Sequence, residues 1–553
     1  MKKYYLALIF IYILIYIIPL GSRPMLTPDE FRYGEIPREM IESGNWVVPK
    51  LIGIRYFEKP VMGYWLTAAS IMAFGENAFA VRLPAALTTG LAAFLLFFLV
   101  LKGRKDPEEA LLAAGFFLTF GMIFGVGTFA VLDAPTMFFI TGTLVSFYLG
   151  CEEDKWSWTK FGYLAGAGIF AGLAFLTKGF LAFAVPAITI IPYLIWTKRW
   201  KQIFILPWIP LVFTILVSLP WAIMIHQQAP KFWEYFFFDE HIKRFTGNSG
   251  THHPEAFYFF IPVLLLSIMP LGLFIPSAFL GAKKRFANLF QDKLIQFAIC
   301  WFVFPFLFFS ACSGKLPTYI LPCFAPFAIL FSCGLLEYFR GEKFKTFNIT
   351  AKVIMILLII AAFGFATFQI IADNGVFDGL YRTNEMWKWI LICVTALVWA
   401  FILFKMYRAK QYRTKLCLLL TGPALLFMLS HFVSPDFVLE GKAQGLFLKQ
   451  FKDRVKPGMI IVAHPNVMHA TAWEFKNKDI LFYTHGGELE VGLRYEDSKS
   501  RMIQPQQFSK LLKTTPPGKI IFIMRGDFRE GIPKGSRKAD FEKYEHEIMF
   551  SKF

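Results

Sequence analysis

About thirteen apolar stretches follow one another along this chain, each close to the length that crosses a membrane. A membrane-spanning helix needs roughly 20 consecutive residues that are mostly apolar. Of the 553 residues, 56% are hydrophobic and only 17% are charged, a balance found in few water-soluble proteins. The sequence therefore predicts a polytopic α-helical membrane protein with spans near residues 4–20, 80–101, 109–127, 134–150, 161–177, 180–196, 203–225, 257–280, 294–311, 319–338, 353–371, 387–404 and 416–433.

The loops between these stretches differ in charge, and the difference predicts the orientation of the chain. Short loops rich in Lys and Arg stay on the cytoplasmic side of a membrane. Such loops hold much of the formal net charge of +18, and no basic groove interleaved with aromatic residues points to a nucleic-acid partner. With an odd number of spans, the N-terminus is cytoplasmic and the C-terminus is external. The basic loops lie at 102–105, 198–201, 283–285, 340–345 and 405–415.

The composition also divides the chain into two predicted domains. A transmembrane domain over residues 1–434 carries a long first external loop at 21–79, in which a short helix at 35–41 would lie on the membrane surface. From about Pro435 the charge rises, and apolar runs typical of buried strands alternate with helical stretches. This pattern predicts a small external α/β domain over residues 435–553. Its expected strands lie at 458–463, 479–483 and 519–524, and its expected helices near 443–454 and 505–513.

The first external loop opens with an acidic pair, Asp29 and Glu30, followed by Arg32 and Tyr33. A carboxylate placed beside lipid and next to a cation can act as a base or bind a cation. The structural alternative is a solvated loop start in which Thr27 or Asp29 caps a helix.

A second polar group in the same loop is Tyr56, Glu58 and Lys59, next to the stiffening residue Pro60. A lysine in this place can attract a phosphate as a point charge. The structural alternative is an interfacial lysine whose ammonium group snorkels to the membrane surface.

Further candidates lie at turns between spans that the predicted orientation places on the external side. Asp133 has apolar sequence on both sides, and a carboxylate so close to lipid indicates a partner or a site, or else a helix cap before Pro135. Lys178 and Lys315, the latter near Tyr319, are external cations that work against the topology signal. We expect them at an anion site, or as isolated lysines at helix ends.

The loop at 226–256 holds His241 and Arg244, which a helix would place on one face. Arg244 can grip a phosphate with two parallel hydrogen bonds. The sequence requires no cofactor, and Glu58 and His241 are the candidate ligands should a divalent metal bind. The seven cysteines have no paired spacing, so neither a disulfide framework nor a cysteine metal site is expected.

In these motifs the chain resembles the GT-C glycosyltransferases, polytopic enzymes that use polyprenyl-phosphate sugars. It is most similar to the bacterial transferases that move 4-amino-4-deoxy-L-arabinose from undecaprenyl phosphate onto lipid A. Val61 stands where that family often has a second proline, a minor departure. The motifs that carry the resemblance are Thr27 to Met40, Tyr56 to Pro60 with Tyr64 and Trp65, Leu132 to Pro135, Thr177 to Gly179, Glu240-His241 with Arg244-Phe245, and Lys315 to Pro317 with Tyr319.

The resemblance implies a GT-C fold with a periplasmic α/β domain, and it implies roles for the candidate residues. Asp29 would be the acidic residue near the reacting centre, with Asp133 as a second catalytic candidate. The donor phosphate would be held by Lys59, Arg244 and Tyr319, with Lys178 as a further candidate. The same periplasmic cavity would be lined by Arg32, Tyr33, Tyr56, Glu58, His241 and Lys315.

We therefore expect an inverting glycosyltransferase of the bacterial inner membrane, with an undecaprenyl-phosphate-linked sugar as donor and lipid A or lipopolysaccharide as acceptor. An acceptor phosphate is already ionised and needs no strong base, whereas for a hydroxyl acceptor Asp29 would be a general base. The alternatives are transfer of a hexose, uronic acid or mannose to lipopolysaccharide core or protein, a lipid or solute transporter, and a non-catalytic assembly protein. The oligomeric state stays open.

Overall fold

The computed structural model describes residues 2–243, 254–289, 291–341, 344–375, 378–526, 532 and 536–553. The chain divides into two compact units. The membrane unit consists of Met1–Leu20 and Leu83–Val433, and the loop–tail unit consists of Gly21–Arg82 and Ser434–Phe553. The first external loop, which the sequence analysis assigned to the transmembrane domain, thus packs with the C-terminal residues.

Every predicted apolar stretch contains helix in the structure. Among the described residues, two helix pairs are bent at a short break, Pro107–Leu118 with Gly121–Gly127 by 65° and Phe257–Ser267 with Leu271–Lys283 by 94°. Shorter apolar helices cover Tyr5–Ile17 and Leu181–Trp196. Nine further helices in the described part are each long and apolar enough to cross a membrane: Ala78–Arg104, Asp133–Glu152, Trp158–Lys178, Gln202–Gln228, Lys293–Ala311, Pro317–Arg340, Lys345–Asp373, Thr383–Arg408 and Tyr412–Ser430.

Small residues let helices of the membrane unit approach closely. A Cβ atom on Gly172 would come within 2.8 Å of Val217, and one on Gly281 would overlap the backbone of Gly334. Without a hydrophobic driving force between helices in lipid, such close van der Waals packing is a main source of helix association.

The loop–tail unit contains the strands β1 Lys50–Leu51, β2 Ile54–Arg55, β3 Ile460–Ala463, β4 Ile480–Tyr483, β5 Met502–Ile503, β6 Ile520–Arg525, β7 Phe541–Glu545 and β8 Ile548–Lys552. The last six form a mixed sheet with the strand order β5-β4-β3-β6-β8-β7. Strands β3 to β6 run parallel, and β8 and β7 complete the sheet antiparallel. Side chains of Val462, Tyr483, Phe508 and Phe522 form the core on one face. The three predicted strands are β3, β4 and β6.

Helices of the tail flank this sheet. The helix predicted near 443–454 is shorter in the structure, the one predicted near 505–513 is one residue longer, and two others were not predicted from the sequence. They cover Asp436–Lys442, Gln444–Lys449, Met468–Phe475 and Pro505–Thr514.

The predicted surface helix of the first loop is wrong in both length and setting. The helix runs over Asp29–Ser43, and Ile36 and Met40 are buried inside the unit instead of facing lipid. It packs against the helices Met62–Phe74 and Met468–Phe475. Polar residues on the remaining faces are buried as well, so the helix is a core element whose ionic side chains need partners in the unit.

Candidate active site

The acidic pair at the start of the first-loop helix has been divided between two environments. Glu30 is fully buried and accepts hydrogen bonds from Arg82 Nε at 2.6 Å and from Arg23 Nη1 at 2.9 Å. Burial alone would raise the pKa of Glu30, but the two guanidinium groups outweigh it and lower that pKa. Asp29 instead keeps a side chain that is 39% exposed, at the helix end where the backbone N–H groups favour an anion.

Arg32 connects Asp29 to the C-terminal residues of the loop–tail unit. Its Nη1 donates to Asp29 Oδ1 at 3.2 Å. Its Nε donates to Glu488 Oε1 at 3.0 Å, and its Nη2 pairs with Glu488 Oε2. His469 Nε2 lies 2.5 Å from the same Glu488 Oε1. Burial would raise the pKa of Glu488, but the charges of His469 and Arg32 lower it to about 2. The carboxylate therefore stays ionised and holds Arg32 in a fixed, bidentate geometry.

Aromatic residues predicted to line the cavity surround this ion pair. Tyr33 stacks on Tyr64 with ring centroids 6.2 Å apart, and the Arg32 guanidinium lies 5.8 Å from the Tyr33 ring. The hydroxyl groups of Tyr56 and Tyr64 are buried without a hydrogen-bond partner among the described residues. Burial raises the pKa of both phenols well above the usual value, so both stay neutral donors.

Glu58 and Lys59 follow Tyr56 on the same segment and are half-buried. Lys59 Nζ donates to the backbone carbonyl of Glu58 at 3.0 Å. A lysine ammonium has three protons to donate. The bond to the Glu58 carbonyl uses one of them and orients Lys59 within its own loop.

In the membrane unit, three predicted residues meet in one small pocket. Lys178 Nζ lies 2.8 Å from Asp133 Oδ1 and 5.8 Å from the ring centroid of Tyr319. Asp133 begins a helix of 20 residues, and Lys178 ends the next helix, of 21 residues, which packs against it. Two antiparallel helices of equal length place the first residue of one beside the last residue of the other. The pocket is lined by Asp133, Thr136, Met137, Lys178, Leu181, Thr318, Tyr319, Leu321 and Pro322.

The other candidates have separate positions. Lys315 is buried, and its Nζ donates to the carbonyl of Glu255 at 2.7 Å, so it fastens a turn outside the lining of that pocket. His241 belongs to the helical segment Tyr235–Lys243, and Arg244 lies outside the described residues. Within the described ranges, no three His, Cys, Asp or Glu side chains are grouped as metal ligands would be.

Two comparisons with known sequences bear on this site. A profile described as dolichyl-phosphate-mannose-protein mannosyltransferase matches residues 1–236, and one described as the arabinosyl transferase ArnT C-terminal domain matches residues 439–552. An undecaprenyl phosphate-alpha-4-amino-4-deoxy-L-arabinose arabinosyl transferase of Shewanella sediminis is 34% identical over 96% of this chain and 95% of its own length. A relative of the same name from Erwinia tasmaniensis is 37% identical over 92% and 91%. This chain belongs to the undecaprenyl phosphate-4-amino-4-deoxy-L-arabinose arabinosyl transferase family.

The fold of this chain is similar to that of solved structures. The crystal structure of ArnT from Cupriavidus metallidurans bound to undecaprenyl phosphate covers 100% of this chain and 98% of its own, with a TM-score of 0.82 at 18% identity. The apo state of the same protein gives the same TM-score at 19% identity. The chain is thus an integral membrane protein with the fold that the motifs predicted.

Glu488 and His469 form, with the candidate residue Arg32, an ionic cluster that was not predicted from the sequence. His469 lies in the helix that follows β3, and Glu488 lies in the short 3-10 helix Gly487–Leu489 that follows β4. Carboxyl ends of neighbouring parallel strands meet at one edge of a sheet, where sites of α/β domains are usually built. The strands were predicted, so polar residues shortly after them were the signal that pointed to these two side chains.

Proposed function

We propose that this protein transfers 4-amino-4-deoxy-L-arabinose from undecaprenyl phosphate to a phosphate group of lipid A. The observation that carries the proposal is the match, over nearly the full length of both chains, to relatives named for this donor and this sugar. The named activity of the relatives requires a glycosyltransferase with a lipid-borne donor, and the paired carboxylates and cations of both units suit that chemistry.

The reaction is a single displacement at the anomeric carbon of the sugar. An acceptor phosphate oxygen forms a bond to C1 while the bond from C1 to the undecaprenyl phosphate oxygen breaks. The leaving phosphate keeps the electron pair, and the configuration at C1 is inverted. Because the acceptor is already ionised, the step requires no net proton transfer.

Most of the catalytic effect is electrostatic in this scheme. Charge grows on the leaving phosphate in the transition state, and cations already in place stabilise it most at that point. In the membrane unit Lys178 would take this role, with the Tyr319 hydroxyl as a neutral donor. Lys59 and Arg244 stay predicted ligands of the donor phosphate. Asp133 supports it by fixing Lys178 through the 2.8 Å ion pair.

Asp29 acts beside the reacting sugar. It is partly exposed and held by Arg32, which is itself held by Glu488, so the carboxylate has a fixed position. Next to a sugar with developing oxocarbenium character or a protonated amine, that carboxylate stabilises positive charge. With a hydroxyl acceptor it would act as general base. Tyr33, Tyr56 and Glu58 would line the sugar site of the loop–tail unit.

We place the enzyme in the bacterial inner membrane with its N-terminus in the cytoplasm and with the chemistry and the loop–tail unit in the periplasm. The basic loops support this orientation through the positive-inside rule. Lipid A, an outer-leaflet lipid on the way to the cell surface, would meet the donor there.

The experiment is a transfer assay with purified protein, synthetic polyprenyl-phosphate aminoarabinose and lipid A, read by mass analysis of the acceptor. We expect lipid A to gain one aminopentose at a phosphate in the wild type and none in Asp29→Asn. An unchanged lipid A together with a glycosylated lipopolysaccharide core or protein would contradict the proposal that lipid A is the acceptor.

A second candidate, transfer of mannose to protein, is favoured only by the mannosyltransferase profile over residues 1–236. Offering polyprenyl-phosphate mannose and a peptide acceptor in the same assay tests it. A mannosylated peptide would support this reading.

A further inference from the structure

The hairpin β1–β2, just before the Tyr56–Lys59 segment, has a turn that its own sequence does not favour. The strands are joined by Ile52 and Gly53, both in the left-handed region at φ +56° and +74°. Two-residue turns of this kind suit Asn-Gly or Gly-Gly, whereas a β-branched residue in that region is strained. Such a conformation persists only when surrounding groups impose it.

Glu39 imposes the turn from one side. Its two carboxylate oxygens accept hydrogen bonds from the backbone N–H groups of Ile52 at 2.5 Å and of Gly53 at 2.9 Å. These are the two successive N–H groups at the hairpin tip. A buried carboxylate aimed at them fixes the direction in which the tip points.

Arg501 imposes the turn from the other side. Its guanidinium donates to the carbonyls of Ile480 and Lys478 at 2.6 and 2.7 Å and to the carbonyl of Ile52 at 3.3 Å. One side chain therefore ties the amino end of β4 to the hairpin tip. Gly53 lies so close that a Cβ atom there would come within 3.3 Å of the Lys478 carbonyl.

A second set of contacts holds the return strand. Arg55 forms a bidentate ion pair with Asp497 at 2.9 and 3.1 Å and lies 4.7 Å from the ring centroid of Tyr495. The Tyr495 ring also meets Phe57 edge-on at 6.1 Å. A Cβ atom on Gly492 would overlap the carbonyl of Arg55, so only glycine permits this approach.

These contacts end where the candidate phosphate-binding segment begins. The N–H of Tyr56 still bonds to the carbonyl of Pro49 at 2.9 Å, and Glu58 and Lys59 follow within three residues. An error of about 1 Å in a group that stabilises a transition state can cost on the order of a hundredfold in rate. A strained hairpin without its anchors would pass such an error on to Lys59.

We propose that Arg501, Glu39, Asp497 and Tyr495 are positioning residues for Lys59 and that the C-terminal residues serve catalysis by clamping the hairpin β1–β2. This hairpin clamp, defined by those four residues, rests on the proposed function for the role of Lys59. The clamp would give the C-terminal residues of the loop–tail unit a role in catalysis that does not depend on direct contact with either substrate.

The test compares three variants of the full-length protein with a matched control. Arg501→Gln removes the fork that reaches three carbonyls, Arg501→Lys keeps the charge without the fork, and Asp497→Asn weakens the second contact at a more exposed place. The control is Arg525→Gln, which removes a half-buried arginine of the same unit that pairs with the exposed Glu547 at 3.4 Å. The readouts are hydrogen exchange of the peptide covering 50–59, binding of undecaprenyl phosphate, kcat/KM and Tm.

For Arg501→Gln we expect exchange of the 50–59 peptide to rise about tenfold or more, because the hairpin tip loses its tie to β4 and its N–H groups then open more often from Glu39. Binding of undecaprenyl phosphate should weaken at least about fivefold, and kcat/KM should fall about ten- to a hundredfold. Arg501→Lys should recover little of the binding and kcat/KM lost in Arg501→Gln. Asp497→Asn should lose less of both, and the control should match the wild type. In a Lys59→Gln background the further loss from Arg501→Gln should shrink in binding as well as in rate.

Faster exchange with unchanged binding and kcat/KM in the folded fraction would show a purely structural clamp and overturn the inference. So would equal losses from Arg501→Gln with and without Lys59→Gln. If Arg501→Gln does not fold, Asp497→Asn carries the same comparisons. A wild type that binds undecaprenyl phosphate but transfers no aminoarabinose would sink the proposed function alone, since the binding and exchange readouts need no transfer.

Discussion

At the scale of single residues, neighbours in sequence have taken opposite tasks. Asp29 and Glu30 differ by one methylene and one helical position, which on a helix is a rotation of about 100°. That rotation turns Glu30 into the unit toward Arg82 and Arg23 and leaves Asp29 partly exposed beside Arg32. The two carboxylates should therefore fail in different ways when they are neutralised.

Asp29→Asn should lower kcat by about a hundredfold or more with little change in Tm, because it removes a charge beside the reaction without leaving a buried cation alone. Glu30→Gln should instead destabilise the fold by about 3 kcal/mol or more, because two arginines lose their buried partner. Thermal unfolding and the transfer assay on both purified variants separate the cases. A stable but inactive Glu30→Gln would contradict the division of tasks.

Glu39 gives a pH dependence with a defined sign. Burial, and then the charge of Glu35, raise the pKa of Glu39 from 4.5 to about 7, although Arg38 and the N–H groups of Gly53 and Ile52 oppose the shift. A raised pKa means that the folded state binds the proton more tightly, so the stability gained is complete below pH 4.5 and lost as pH rises to about 7. The contribution of Glu39 to the free energy of unfolding changes by on the order of 3 kcal/mol over this pH range.

The measurement is chemical unfolding of the wild type and of Glu39→Gln between pH 5 and 8. The wild type should lose stability with rising pH relative to the glutamine variant, whose side chain does not titrate. A wild type that gains stability relative to Glu39→Gln over this range would contradict the raised pKa.

At the scale of elements, the Asp133–Lys178 pair depends on two adjacent helices having matched lengths. If Asp133 acts by holding Lys178, then Asp133→Asn and Lys178→Gln remove the same function. Each should lower kcat/KM about tenfold or more, and the double variant should lose little beyond the worse single variant. Losses that multiply in the double variant, measured in the same transfer assay, would show that the two residues act separately.

Elements were also what the sequence predicted best. Long apolar runs identify helices because the bilayer leaves the backbone no other way to satisfy its polar groups. The bend of 94° between Ser267 and Leu271 was not predicted, although Pro270 lies in the break and cannot donate a backbone hydrogen bond. The hairpin β7–β8 was also missed, because its outer strand alternates half-buried and exposed residues and carries no apolar run.

The contacts among the candidate site residues were predicted only in part. Lys178 and Tyr319 were expected near one another and share a pocket, whereas the partners Glu488 and Arg501 were not foreseen. Both pairings join residues more than 400 positions apart in the chain, and no periodicity in a single sequence encodes such a distance. Only the expected strand ends gave a local signal for Glu488.

At the scale of the whole molecule, the orientation in the membrane can be tested with single cysteines in a variant whose seven native cysteines are replaced. The residues chosen are exposed: Glu76 and Lys449 in the loop–tail unit, and Lys201 and Lys410 in basic loops. An impermeant maleimide added to spheroplasts should label Glu76→Cys and Lys449→Cys, and should reach Lys201→Cys and Lys410→Cys only after lysis. Labelling of Glu76→Cys and Lys449→Cys from different sides would contradict the orientation.

The loop–tail unit takes its residues from the first and last parts of the chain, and this fixes the order in which the protein can be built. A ribosome delivers the helix Asp29–Ser43 early, yet Glu488 and Arg501 leave it only after the last membrane helix has been made. Throughout insertion, the Arg32 guanidinium and the backbone carbonyl of Ile52 therefore stay without Glu488 and Arg501, the partners that they have in the folded unit. The loop–tail unit can therefore complete its folding only after the whole chain has been made, and a chain interrupted before its end would leave the first external loop without its C-terminal contacts.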